Sequence, residues 1–102
     1  MELQKDVLEF CEKHRLKHCP ETWLLDLVSE VGELAKSLLK ATNYGKAKPR
    51  VNKEVEEELG DVCFSLIALA NELGLDLEKA VMRVLKKYER RIKSRGTPAS
   101  GR

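Results

Sequence analysis

The stretch Leu24–Lys40, LLDLVSEVGELAKSLLK, decides the fold. Its apolar residues fall at Leu24, Leu27, Val28, Val31, Leu34, Ala35, Leu38 and Leu39, the spacing of one face of an α-helix. Glu30 and Glu33 sit inside it, three apart, so they project as neighbours. A second helical stretch, Asn52–Leu73, carries Glu58 and Asp61 at the same spacing, again in apolar surroundings. Two helices that each offer a carboxylate pair can build a four-oxygen pocket for a hard divalent cation, which takes oxygen ligands. Without a cation, four clustered carboxylates repel one another strongly, so the cluster implies metal. No cysteine or histidine accompanies the four acids, which argues against zinc and copper.

The two motifs share a further feature. Glu30-Val31-Gly32-Glu33 and Glu58-Leu59-Gly60-Asp61 each place a glycine before the second acid. A mid-helix glycine costs about 0.5–1 kcal/mol relative to alanine. Two at matching places predict a close approach to the backbone, by a crossing helix or a bound ligand. Either acid pair alone reads as solvated surface charge, because charged side chains are rarely buried; the repetition singles them out. Glu54, Glu56 and Glu57 read as solvated, with Glu57 the acid that a shifted register would bring into the site.

Outward from these helices, residues 2–16 read as a first helix, with Leu3, Val7, Phe10 and Cys11 along one side. Pro20 disfavours a helical Cys19 and suits the first turn of helix two, which spans Pro20 to Ala41. The segment Thr42–Val51 is a polar, basic connection holding Asn43, Gly45 and Pro49. It reads as a solubilising loop or a phosphate-facing one. Asn52 is a good N-cap for helix three. The second half of that helix, VCFSLIALANEL, is apolar around most of its circumference, which predicts burial on several sides, in a bundle or at a subunit interface. Gly74 ends it, and Asp76 caps helix four, Leu77–Lys93. Helix four is expected to bury Ala80, Val81, Val84, Leu85, Tyr88 and Ile92 beneath a strongly basic face. No strand-type alternation occurs, so the expected fold is all-α: an antiparallel four-helix bundle completed by oligomerisation. Residues 1–93 form the domain, and 94–102, SRGTPASGR on from Ser94, a flexible tail.

At 102 residues the chain suits one domain. A hydrophobic fraction of 42% supports one core, and 35% charged residues fit a well-solvated helical exterior. The net charge of +2 does not by itself point to nucleic acid. Cys11, Cys19 and Cys63 make neither a disulfide framework nor a zinc knuckle, so a reduced cytoplasmic setting is expected. No signal peptide and no membrane span is expected.

At the acidic residues the sequence resembles the MazG-like family of all-α nucleoside triphosphate pyrophosphohydrolases. That family's pattern, E-x-x-E, a spacer, then E-x-x-D, matches as Glu30, Glu33, Glu58 and Asp61, with 24 residues between the motifs. The resemblance runs from about His18 to Arg91. The segment HCPETWLLDLVSEVGELA, His18–Ala35, is similar to the dCTP pyrophosphatase branch, as are EELGDVCFSLIALA, Glu57–Ala70, and the D-L-x-x-A-V of Asp76–Val81. It implies that the four acids bind Mg²⁺, with Mn²⁺ as a substitute. The cation would in turn hold the triphosphate, and a water activated by metal and carboxylate would attack the α-phosphate. Glu30 or Glu33 would be the base. Lys87-Tyr88-Glu89-Arg90-Arg91 resembles the family's K-F-E-R-R run, which makes Lys87 and Arg91, on one helix face, the expected phosphate contacts. His18 and Trp23 are the candidates for base contact. The dCTP branch has Lys and Asn where this chain has Val84 and Tyr88, and aromatics where it has His14, Lys40 and Ser65. The resemblance also implies a homodimer or homotetramer.

Two other classes compete. A di-iron carboxylate bundle uses Glu-x-x-His motifs, and neither His14 nor His18 has Glu three residues before it. A non-enzymatic interaction or regulatory module would bind polyanions through the basic fourth helix, with salt sensitivity that survives loss of the acids.

Overall fold

The structure is a computed structural model that describes residues 1–48, 50 and 52–99. Among these the chain forms four helices and no strand: α1 (Glu2–Lys13), α2 (Pro20–Ala41), α3 (Lys53–Glu72) and α4 (Leu77–Arg95). The all-α expectation holds. The ends follow from capping chemistry. Pro20 opens α2 behind an extended Cys19. Asn52 Oδ1 accepts from the Val55 N–H at 2.8 Å, and Asp76 Oδ1 from the Lys79 N–H at 3.0 Å. Beyond α3, Gly74 takes φ +68° and the Leu75 N–H reaches the Ala70 carbonyl at 2.9 Å. Helix α1 stops at Lys13, three residues short of the expectation, because Arg15 turns to φ +57° and the Leu16 N–H closes back on the Cys11 carbonyl. Helix α4 runs two residues past Lys93 and ends on Gly96 at φ +76°. Pro49 and Val51 of the connecting loop, and 100–102 of the expected tail, lie outside the described residues.

Helices α2 and α3 pack as an antiparallel hairpin, fixed by two side-chain bonds at opposite ends of the contact. Ser37 Oγ donates to Glu54 Oε1 at 3.0 Å, and Ser65 Oγ donates to Asp26 Oδ2 at 2.8 Å. Helix α1 lies against α3. The core of Val7, Trp23, Ile67 and Ala68 joins these three helices, with Cys11, Phe64, Leu69 and Leu77 packed around it. Gln4, buried on α1, donates to the Leu75 carbonyl at 2.7 Å and accepts from the Leu77 N–H at 3.0 Å. It thereby clamps the α3–α4 turn on both sides of Asp76. No described helix is long and apolar enough to cross a membrane.

Two expectations need correction. Helix α4 buries none of its residues, and Val81, Leu85, Tyr88 and Ile92 stay exposed. It leaves the Gln4 clamp without packing along α1–α3, so the four-helix bundle is not closed within one chain. Most of the apolar row of α2 is also turned outward: Leu24, Val28, Val31, Leu38 and Leu39 are exposed, while Leu27 and Leu34 of the same row are half-buried. The face that meets α3 is instead the line Trp23, Leu27, Glu30, Leu34 and Ser37, buried or half-buried throughout. Likewise α3 buries Ser65, Ile67, Ala68 and Ala70 but leaves Leu59 and Leu66 exposed.

Candidate metal centre

The seam between α2 and α3 is polar in its middle. The antiparallel register fixed by Ser37 with Glu54 and by Asp26 with Ser65 sets Glu33 opposite Glu58 and Glu30 opposite Asp61. One carboxylate oxygen from each of Glu30, Glu58 and Asp61 lies within 4.8 Å of the others. Three of the four acids singled out by sequence therefore converge. Glu33 is not in that group; its charge still bears on both Glu30 and Glu58.

Glu30 and Glu58 are half-buried and Asp61 is exposed. Burial, followed by the charges of Asp61, Asp26, Glu58 and Glu33, holds the Glu30 carboxyl above the ordinary glutamate range. Glu58 is pushed the same way by burial, then by Asp61, Glu33, Glu54 and Glu57. No described lysine or arginine makes an ion pair with these acids; among the described residues a salt bridge joins the N-terminal amine to Glu78. Negative charge is thus gathered without a paired cationic side chain among the described residues. The donor set fits a hard divalent cation: it is all oxygen, and ligand bonds of about 2.0–2.6 Å let opposed oxygens about 4–5 Å apart share one ion.

The remaining candidates fall elsewhere. Trp23 is only 6% exposed and sits in the core, its ring edge-on to Phe64 and 4.9 Å from that of His18. One side of it borders a cavity of about 530 Å³ between α1 and α3, lined also by Leu8, Arg15, Leu16 and Ala68, which holds none of the four acids. His18 is exposed. Lys87 is half-buried with Nζ 5.5 Å from the Tyr88 ring centre, and Arg91 Nη1 donates to the Pro98 carbonyl at 3.3 Å. Among the described residues neither makes an ion pair with the acids.

Sequence reasoning missed four residues of the seam: Asp26, Ser37, Glu54 and Ser65. Glu54, expected to be solvated, is exposed, and its carboxylate also accepts a hydrogen bond from Ser37 Oγ. The signal was present in the spacing, since each helix carries an acid four residues before its first motif glutamate and a serine four after its second motif acid. The glycine expectation fares differently. A Cβ on Gly32 or Gly60 would meet nothing within 4 Å, so among the described residues no helix crosses there.

Comparison with known proteins bears on this geometry. The family described as MazG nucleotide pyrophosphohydrolase domain matches residues 18–96. The Bacillus subtilis protein YpjD is 40% identical over 81 residues, covering 76% of this chain and 71% of that protein. Human dCTP pyrophosphatase 1 is 36% identical over 89 residues, 83% of this chain and 52% of the human protein, so the chain spans about half the length of that relative. The crystal structure of the Bacillus-conserved MazG protein, a nucleotide pyrophosphohydrolase, superposes with a TM-score of 0.72 at 34% identity, covering 85% of each chain.

Proposed function

The chain belongs to the MazG nucleotide pyrophosphohydrolase family, and on that premise we propose that it converts a (deoxy)nucleoside triphosphate to the monophosphate and pyrophosphate with Mg²⁺, clearing unwanted nucleotides from the cytoplasmic pool. The observation that carries this reading is the convergence of Glu30, Glu58 and Asp61 on one small volume. Those three would hold the cation, with Glu33 beside them. Bound there, a divalent cation neutralises phosphate charge and lowers the pKa of a water it holds. Glu33 or Glu30 takes the proton of the attacking water. The bond from the α-phosphorus to its bridging oxygen breaks, and pyrophosphate leaves.

Lys87 and Arg91, four apart on α4, are the proposed phosphate contacts. His18, exposed beside the buried Trp23, is the proposed base contact, with Trp23 as its support. Because α4 is unpacked within the chain, its basic residues would reach the phosphates in a homodimer or homotetramer, where its apolar row is also covered. The test is a panel of ordinary and modified nucleotides assayed for pyrophosphate with Mg²⁺ or Mn²⁺. Release from at least one is expected; none from any overturns the proposal.

A further inference from the structure

Helices α2 and α3 repeat a twelve-residue pattern. Asp26-Leu27-x-x-Glu30-Val31-Gly32-Glu33-Leu34-x-x-Ser37 corresponds to Glu54-Val55-x-x-Glu58-Leu59-Gly60-Asp61-Val62-x-x-Ser65. The helices run antiparallel, so the first acid of each pattern meets the serine that ends the other. Both meetings are hydrogen bonds: Ser65 Oγ to Asp26 Oδ2 at 2.8 Å and Ser37 Oγ to Glu54 Oε1 at 3.0 Å. Both serines are buried, 1% and 6% exposed. Each has a single proton to donate, and it goes to a carboxylate, a bond stronger than one between neutral groups.

We infer that Asp26 and Glu54 are positioning residues for the metal centre, anchored by Ser65 and Ser37 so that they bracket the inner acids from both ends of the seam. The inference rests on the metal reading proposed above. Asp26 and Glu30 are four apart on one helix face, as are Glu54 and Glu58, so each outer acid neighbours an inner one of the same charge. Two free like-charged side chains relieve their repulsion by swinging apart. Tied across the seam, Asp26 cannot swing, and the Glu30 carboxylate is left its side toward Asp61 and Glu58. Glu54, tied to Ser37, does the same for Glu58 from the other end. The outer acids thus act through the inner ones, and the hydroxyls act through the outer acids.

Mn²⁺ binding to the full chain without nucleotide, followed by electron paramagnetic resonance of the free ion, tests this. Ser65→Ala and Ser37→Ala keep every charge and remove one anchor each. Each is expected to weaken Mn²⁺ binding about 10-fold, the lower end of what loss of an orienting partner does to a metal site. The pattern's symmetry requires effects of similar size at the two ends. Ser37→Thr, which restores the hydroxyl, recovers the affinity. Two alanine variants that bind Mn²⁺ as the parent does overturn the inference while leaving the metal reading intact. So does a thermal destabilisation that Mn²⁺ affinity does not follow. A parent chain that takes up no Mn²⁺ overturns the metal reading, and this inference with it.

Discussion

Glu30 faces Asp61 across the α2–α3 seam, with one oxygen of each inside a 4.8 Å group that Glu58 completes. Neither residue belongs to the hydrophobic core, which lies toward Trp23 and Ile67. Replacing either acid by its amide therefore removes the charge of a proposed ligand and leaves packing alone. Glu30→Gln and Asp61→Asn are each expected to lower kcat/KM for pyrophosphate release by about 100-fold or more. Far-UV circular dichroism should stay at the parent's. A variant that keeps parental turnover would remove Glu30 or Asp61 from the chemistry.

Glu33 stands outside that three-oxygen group, so of the two proposed bases it is the one whose loss should spare the proposed ligands. A proton acceptor is needed in turnover but not for holding the ion. Glu33→Gln should lower kcat by about 10²-fold or more while leaving Mn²⁺ affinity close to the parent's. Glu58→Gln should lower Mn²⁺ affinity as well. Equal losses of affinity in both variants would make Glu33 a ligand and pass the base role to Glu30.

The raised Glu30 and Glu58 carboxyls set a pH dependence in the absence of metal. In the unfolded chain both ionise near 4.5, and in the folded chain at a higher pH. Between those values the folded chain holds more protons, so stability falls as pH rises. Their contribution is fully present below the ordinary value and is lost as pH climbs through the raised one. Asp76, held below 3.8 chiefly by the Lys79 N–H, works the other way and is lost as pH falls. Thermal melts in chelator should show Glu30→Gln gaining on the parent as pH rises above about 4.5. At neutral pH, Mg²⁺ should raise the parent's melting temperature more than the variant's. A constant offset between the two chains at all pH values would contradict the proton linkage.

The helices were legible because their start and stop signals are chemical: Pro20, Asn52 and Asp76 open helices and Gly74 closes one where the sequence puts them. Which face each helix buries was not. The apolar stripe of α2 caught Leu27 and Leu34 of the buried face but centred on the outward side, since Leu24, Val28 and Leu38 outweigh Glu30 and Ser37 in any count of hydrophobicity. The seam instead sets Glu30 and Ser37 among Trp23, Leu27 and Leu34, with the buried serine hydroxyls bonded to carboxylates of the facing helix, a compensation invisible to periodicity. The acids themselves were legible because they repeat. Their serine partners repeat as well, four residues after each second acid, but the spacing does not say which carboxylate each serine meets until the antiparallel register is known.

Gly32 and Gly60 offer a test of what covers that outer face. With nothing within 4 Å of an added Cβ, alanine at either position should stabilise the isolated chain by about 0.5–1 kcal/mol through helix propensity. The gain should appear as a higher urea midpoint. If a nucleotide or a second copy lies against the backbone there, the same variants should show a raised KM or impaired assembly. A higher midpoint with unchanged turnover and assembly would mean that nothing approaches either glycine.

Helix α4 poses the last question, because its sequence is amphipathic and beyond Leu77 its apolar stripe stays largely exposed among the described residues. Val81, Leu85, Tyr88 and Ile92 follow the i, i+4, i+7, i+11 spacing of one stripe, and Leu85 is 52% exposed. Burial stabilises by about 1.5–3 kcal/mol for each such aliphatic side chain taken from open water, so a stripe of this kind favours a cover. If a second copy supplies it, the parent runs as a dimer or larger by size-exclusion chromatography with light scattering. Leu85→Glu places a charge in that contact and should shift the parent toward monomer. The same variant should lose pyrophosphatase activity, since Lys87 and Arg91 lie on the helix that assembly would fix. Its far-UV helicity should be kept, because nothing in α1–α3 leans on Leu85. A monomeric parent with full activity would remove the stripe from the mechanism and leave phosphate binding to residues of the hairpin alone.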